Sequence, residues 1–170
     1  MQFKHSLLFL SAITGIYAAV SVPKGTDLAI VDVPKWGELR VYHQDSSSTG
    51  IKEITTKLPT TGVLNDGFIF AGPTRANTPL GAISWDSGKA DPEIRVYFIT
   101  PSNTLGEVAY IAGTGWNGGG NIGFPVQAGS AALYAKKVDS FLLVGYVNDA
   151  GNFAEAYYDL NNPGWKTYNL

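Results

Sequence analysis

Two pairs of oppositely charged residues recur along the chain at nearly the same spacing. Arg40 is followed by Glu53, and Arg95 by Glu107. A third, blurred copy carries Gly145 ahead of Glu155. A guanidinium facing a carboxylate supports three kinds of chemistry. The simplest is a cross-strand ion pair, worth about 0.2–1 kcal/mol when exposed. The second is hydrolysis of a glycosidic bond by two carboxylates across a cleft. The recurring acids stand beside Arg, which would lower their pKa and suits binding better than proton donation. The third is recognition of a polar ligand by the paired donor and acceptor, or, if that use has been lost, of a protein. Other chemistry is poorly supplied. The chain has no Cys, and His43 is the only His apart from His5. A cysteine nucleophile, a two-His metal centre and a disulfide framework are therefore excluded, and no cofactor or metal is expected.

Short strands must position these residues. The first pair begins in Glu38-Leu39-Arg40-Val41-Tyr42 and the second in Glu93-Ile94-Arg95-Val96-Tyr97. In Ile94-Arg95-Val96-Tyr97-Phe98, alternation sends Ile94, Val96 and Phe98 to one face and Arg95 and Tyr97 to the other. Leu142-Leu143-Val144-Gly145-Tyr146 reads as the third copy, with Gly145 in the place of Arg. Around each copy lie β-branched or aromatic runs separated by Gly, Asn, Asp, Ser or Pro, and no window after the N-terminal stretch has sustained helical periodicity. Three units of four strands result. The first runs Asp27–Val31, Glu38–His43, Gly50–Thr56 and Phe68–Phe70. The second runs Leu80–Trp85, Glu93–Ile99, Leu105–Ile111 and Trp116 onward. The third runs Ser130–Tyr134, Ser140–Val147, Asn152–Tyr158 and Trp165–Leu170. Polar turns at Asp45–Gly50, Pro101–Asn103 and Asn148–Gly151 can reverse the chain between strands.

The repeat is 55 residues between Arg40 and Arg95 and 50 between Arg95 and Gly145. Four short strands in such a period match a propeller blade. The expected fold is all-β, with three four-stranded propeller-type blades at about 27–72, 80–128 and 130–170. Known propellers close with about four to eight blades. Three leave the outer faces of the first and last blades open. Two copies joined head to tail as a homodimer would make six blades and cover both.

Lys4 and His5 precede the apolar run Leu7–Ile13, and small residues follow to Val20. This reads as a signal peptide over residues 1–20 and implies secretion. Its removal leaves about 150 residues, enough for one sizeable core. Without Lys4 the count is 11 basic against 14 acidic residues, a net charge of 11 − 14 = −3. A weakly acidic surface argues against nucleic acid or anionic membranes as partners, and no membrane insertion is expected after cleavage.

The segments Leu39–Asp45 with Ile51-Lys52-Glu53, and Ala82–Trp85 with Ile94–Tyr97, resemble the fungal fucose-specific lectins of the orange-peel-fungus type. Gly115-Trp116 and Gly164-Trp165 complete the pattern, and the resemblance runs from about Asp27 to Leu170. It implies a six-bladed propeller that holds fucose or fucosylated glycans between blades, and no enzymatic activity. The family's sites take an Arg and a Glu from one blade and aromatic residues from the blade before it. On that order Arg95 and Glu107 face a first blade with Thr56 and no following Trp. Tyr110 and Trp116 face a third blade with Glu155 but no Arg. These five functional residues, Arg95, Glu107, Tyr110, Trp116 and Glu155, belong to degenerate sites. The complete set joins Tyr158 and Trp165 at the end of one chain to Arg40 and Glu53 at the start of another. Such a site exists only between subunits. Tyr at the first aromatic position departs from the Trp often found there. Trp36, Trp85 and His43 read as packing residues.

Overall fold

A computed structural model describes Val22, residues 26–57 and residues 62–170; the proposed signal peptide lies outside them. The described chain forms twelve strands. They are β1 (Leu28–Val33), β2 (Glu38–Gln44), β3 (Ile51–Thr56), β4 (Val63–Phe70), β5 (Gly81–Trp85), β6 (Glu93–Ile99), β7 (Thr104–Ile111), β8 (Gly115–Pro125), β9 (Leu133–Val138), β10 (Phe141–Val147), β11 (Phe153–Asp159) and β12 (Asn162–Asn169). They make three antiparallel sheets, each a four-stranded meander in chain order. The all-β, three-blade expectation is met, and no helix occurs among the described residues.

Turn chemistry closes the hairpins. Between β2 and β3 the Asp45 carboxylate accepts hydrogen bonds from the backbone amides and hydroxyls of Ser47 and Ser48, which hold its pKa well below the usual carboxylate range. Asn103 turns the chain between β6 and β7 at φ 54°, a left-handed conformation that Asn tolerates. Gly151, at φ 82°, does the same between β10 and β11, where its amide donates to Asn148 O.

Alternation gives each blade a front face, carrying the Arg and Glu, and a back face. The front of the first blade packs on the back of the second. Ala29, Val31, Val33 and Tyr42 meet Leu80, Ile94, Val96, Phe98 and Val108 in one core. The front of the second packs likewise on the back of the third, where Ile83 and Tyr97 meet Leu142, Val144, Tyr146, Ala154 and Ala156. The innermost strands lie closest. A Cβ on Gly81 of β5 would stand 3.2 Å from both the backbone amide and the Cβ of Ala135 on β9.

The third blade departs from the expected frame in register. Tyr42 pairs with Glu53, Tyr97 with Glu107 and Gly145 with Glu155. Gly145 therefore occupies the Tyr position. Leu143, which pairs with Tyr157 as Arg40 pairs with Thr55, occupies the Arg position. The missing ring comes from across the strand pair. Tyr134, the partner of Gly145 on β9, lies over it so closely that a Cβ there would fall 1.9 Å from the ring. In the first two blades the matching β1 and β5 positions are Ala29 and Gly81, small because the ring stands on the neighbouring strand. The inner strand also differs from the expected bounds: β9 covers Leu133–Val138 rather than Ser130–Tyr134.

Candidate functional site

The strand pattern of one blade sets each Arg–Glu pair. Arg40 stands two residues from Tyr42 on β2, so both share the front face with Glu53 of β3. Its Nη1 donates to Glu53, and its Nε donates to Glu38 Oε2 at 3.1 Å. Glu38 lies two residues before Arg40 on the same face. The guanidinium stacks over Trp36, 4.8 Å from the ring centroid.

The next blade closes this first seam. Trp36 meets Tyr110 edge-on at 5.3 Å, Tyr110 meets Trp116 at 5.6 Å, and Trp116 meets Tyr42 at 5.9 Å. Phe70 plugs the outer end, its ring pressed on the backbone of Gly119. Only 4% of the Glu53 side chain is exposed. The seam has the residue types of a polar ligand site, filled by its own aromatics.

The second seam repeats the set with room left over. Arg95 Nε lies 3.4 Å from Glu107 Oε1. Its Nη1 donates to Tyr110 O at 3.1 Å and to Glu93 Oε2 at 3.3 Å. Its guanidinium stands over Trp85, 5.2 Å from the centroid. Across the seam the third blade supplies Tyr158 and Trp165, 5.5 Å apart, with Trp165 edge-on to Tyr97 at 5.9 Å. A cavity of about 180 Å³ opens between Arg95, Glu107, Ala109, Ile111, Leu142 and Tyr158. It is flanked by a cavity of about 340 Å³ that reaches Trp85 and Glu93, and by one of about 410 Å³ under Trp165. Small residues line the space. Ala109 stands where the first seam has Thr55, and Gly118, Gly119 and Gly120 put no side chain beside Glu107. The Glu107 side chain is 22% exposed.

Burial governs the acids. It raises the Glu53 and Glu107 pKa values, and the neighbouring arginines offset this only in part. Each Arg lowers the pKa of its acid as expected, but burial outweighs it and the net shift is upward. A raised folded-state pKa means that the Glu107 contribution to stability is full below its unfolded value of 4.5 and is lost as pH rises through the folded value. Glu107→Gln is therefore expected to melt at or above the wild-type temperature at pH 7. Thermal melts at pH 4 and pH 7 check this, since the advantage of the variant should shrink at pH 4.

The third copy of the pair is occupied. The hydroxyls of Tyr134 and Tyr168 both donate to Glu155. Burial, reinforced by Glu155, pushes the Tyr134 pKa up to about 12. Leu143 supplies no cation beside them.

The expected grouping is thereby corrected. Arg40 and Glu53 face Tyr110 and Trp116, while Tyr158 and Trp165 face Arg95 and Glu107. Each pair meets aromatics from the blade after its own, because the Arg-bearing face turns toward the following blade. Neither set needs a second chain. Trp36, Trp85, Glu38 and Glu93 were not singled out as site residues. The signal for the acids was Glu-x-Arg at the start of both strands, two residues apart and so on one face.

A family model described as "fungal fucose-specific lectin" matches residues 25–170. The chain belongs to this family. A fucose-specific lectin of Aspergillus fumigatus is 36% identical over 94 residues, covering 53% of the chain and 30% of that protein. Among solved structures, AofleA from Arthrobotrys oligospora superposes with a TM-score of 0.69 at 21% identity, over 85% of the chain and 41% of its own. The Aleuria aurantia lectin, described as a six-bladed β-propeller, gives 0.65 at 23% identity over 87% and 45%. A fucose lectin from Kordia zhangzhouensis gives 0.62 at 20% identity and is covered over 99% of its length. The chain thus spans less than half of the Aspergillus, Arthrobotrys and Aleuria relatives, and its three sheets superpose on about half of the six-bladed Aleuria ring.

Proposed function

We propose that the chain is a secreted lectin that binds fucose or fucosylated glycans in its second seam. The observation that carries this reading is the cavity where Arg95 and Glu107 of one blade face Tyr158 of the next, with Trp165 beside them. An ionised carboxylate accepts from two vicinal hydroxyls, and the guanidinium donates to sugar oxygens in a fixed fork. The rings of Tyr158 and Trp165 offer apolar surface to the C–H side and the 6-deoxy methyl. Arg40, Glu53, Tyr110 and Trp116 form a second set of the same kind, held shut by Trp36. Two copies joined head to tail complete a six-bladed ring and present at least two such pockets, which raises avidity for clustered glycans.

A glycan array probed with the 170-residue chain tests the reading. Fucosylated glycans should bind, and free L-fucose should compete the signal away. Array binding that free L-fucose leaves untouched would overturn it.

A further inference from the structure

The front face of the third blade and the back face of the first are uncovered among the described residues, and both carry large apolar side chains. Leu28 and Ile30 stand on the back of β1, 48% and 56% exposed. Tyr134, Val138, Phe141, Phe153 and Tyr168 stand on the front of the third blade, each about two-fifths exposed. Surfaces of this kind mark association sites.

The two seams inside the chain fix what such a pair of faces takes. Each front accepts the back of a following blade, with the innermost strands in a constant register. Gly81 sits against Ala135 in the second seam. In the first, Ser84 Oγ donates to Asp32 O at 2.5 Å, which brings Ser84 level with Val31 and Val33. The ladders give the matching positions. Tyr134 corresponds to Gly81 and Ile30 to Ala135; Lys136 corresponds to Val31 and Asp32 to Ser84. The same register at the open faces sets Tyr134 against Ile30, and Lys136 against Asp32, of a second copy. Lys136 and Asp32 are both exposed and opposite in charge.

We infer that a second copy of this chain docks its first-blade back on the third-blade front through these two contacts, and that the joint binds no sugar. This rests on the proposed ring closure and specifies its contact. The site chemistry has been removed from the joint on both sides. The front offers Leu143 for Arg and a Glu155 already bonded to Tyr134 and Tyr168. On the back, Thr56 and Val63 pair where Tyr110 pairs with Trp116 and Tyr158 with Trp165. The third pocket has become an apolar interlock with one charge pair at its side.

The test measures the mass of the 170-residue chain in solution by light scattering, alone and in mixtures. The wild type should be a dimer at micromolar concentration. Lys136→Glu and Asp32→Lys should each shift it to monomer, because each sets like charges against each other at both joints. Mixed one to one, the two variants should regain the dimer, since both joints then again pair opposite charges. Glu155→Gln should leave the number of fucoside sites per chain unchanged. A monomeric wild type, charge variants that remain dimeric, a mixture that stays monomeric, or a site lost in Glu155→Gln would each overturn the inference. Fucoside titration of the monomeric variants separates this from the function itself. Both walls of the second seam lie in one chain, so binding persists there if the lectin reading holds, whatever the mass.

Discussion

Arg95→Ala is expected to abolish measurable binding of α-methyl-L-fucoside, a loss of at least about 100-fold if each charge-assisted hydrogen bond contributes about 1.5–3 kcal/mol. Two effects act together. The variant removes the one cation that lines the cavity of about 180 Å³ among the described residues, and it leaves the half-buried Glu107 without its ion-pair partner. Burial already raises the pKa of that carboxylate, and losing Arg95 removes the neighbouring charge that holds it down. Isothermal titration of variant and wild type gives the ratio directly. Arg40→Ala is the informative comparison. Arg40 lies in the seam that Trp36 and Tyr110 fill, so its removal should lower fucoside affinity far less. Near-wild-type binding in Arg95→Ala with loss in Arg40→Ala would move the principal site to the first seam. The sequence favoured Arg40 over Arg95, with Tyr158 and Trp165 of another chain as its partners, whereas the open cavity lies beside Arg95.

Phe98→Ala should lower stability by about 3–5 kcal/mol, the usual penalty for truncating a fully buried Phe. Phe98 is 1% exposed, and its ring stacks on Phe70 with centroids 5.0 Å apart. It also lies over Gly106, where a Cβ would stand 2.6 Å from it. One side chain therefore joins the first blade to the second and occupies the space that Gly106 leaves. Alanine opens a cavity that neither backbone can collapse into. Urea unfolding followed by tryptophan fluorescence measures the change in midpoint. A shift corresponding to less than about 1 kcal/mol would mean that the two blades pack less tightly than this contact requires.

The third blade explains both a successful reading and a failed one. Its apolar strand and its Glu155 identified it as a repeat. Sequence comparison then matched Gly145 to Arg through the neighbouring Tyr146, whereas the ladder matches Gly145 to Tyr97. The tyrosine had changed strands. Tyr134 performs from β9 what Tyr97 performs from β6, and a linear pattern holds no record of a ring supplied from across a strand pair.

The sequence by itself determined the all-β class, the three four-strand units and the residues of each Arg–Glu pair. Those features follow from alternation, turn chemistry and spacing, which act within a few residues along the chain. The resemblance to fungal fucose-specific lectins was legible for the same reason, since its motifs lie on single hairpins. Which blade covers which face is a different kind of fact. Alternation says that Arg95 and Glu107 share a face, but a face can be met by the preceding blade or by the following one. Only the packed structure turned them toward Tyr158 and Trp165 and left the Glu155 face uncovered among the described residues. The choice rests on contacts between residues some fifty positions apart, such as Gly81 on Ala135, whose closeness depends on the side chain that Gly81 lacks and the single methyl of Ala135.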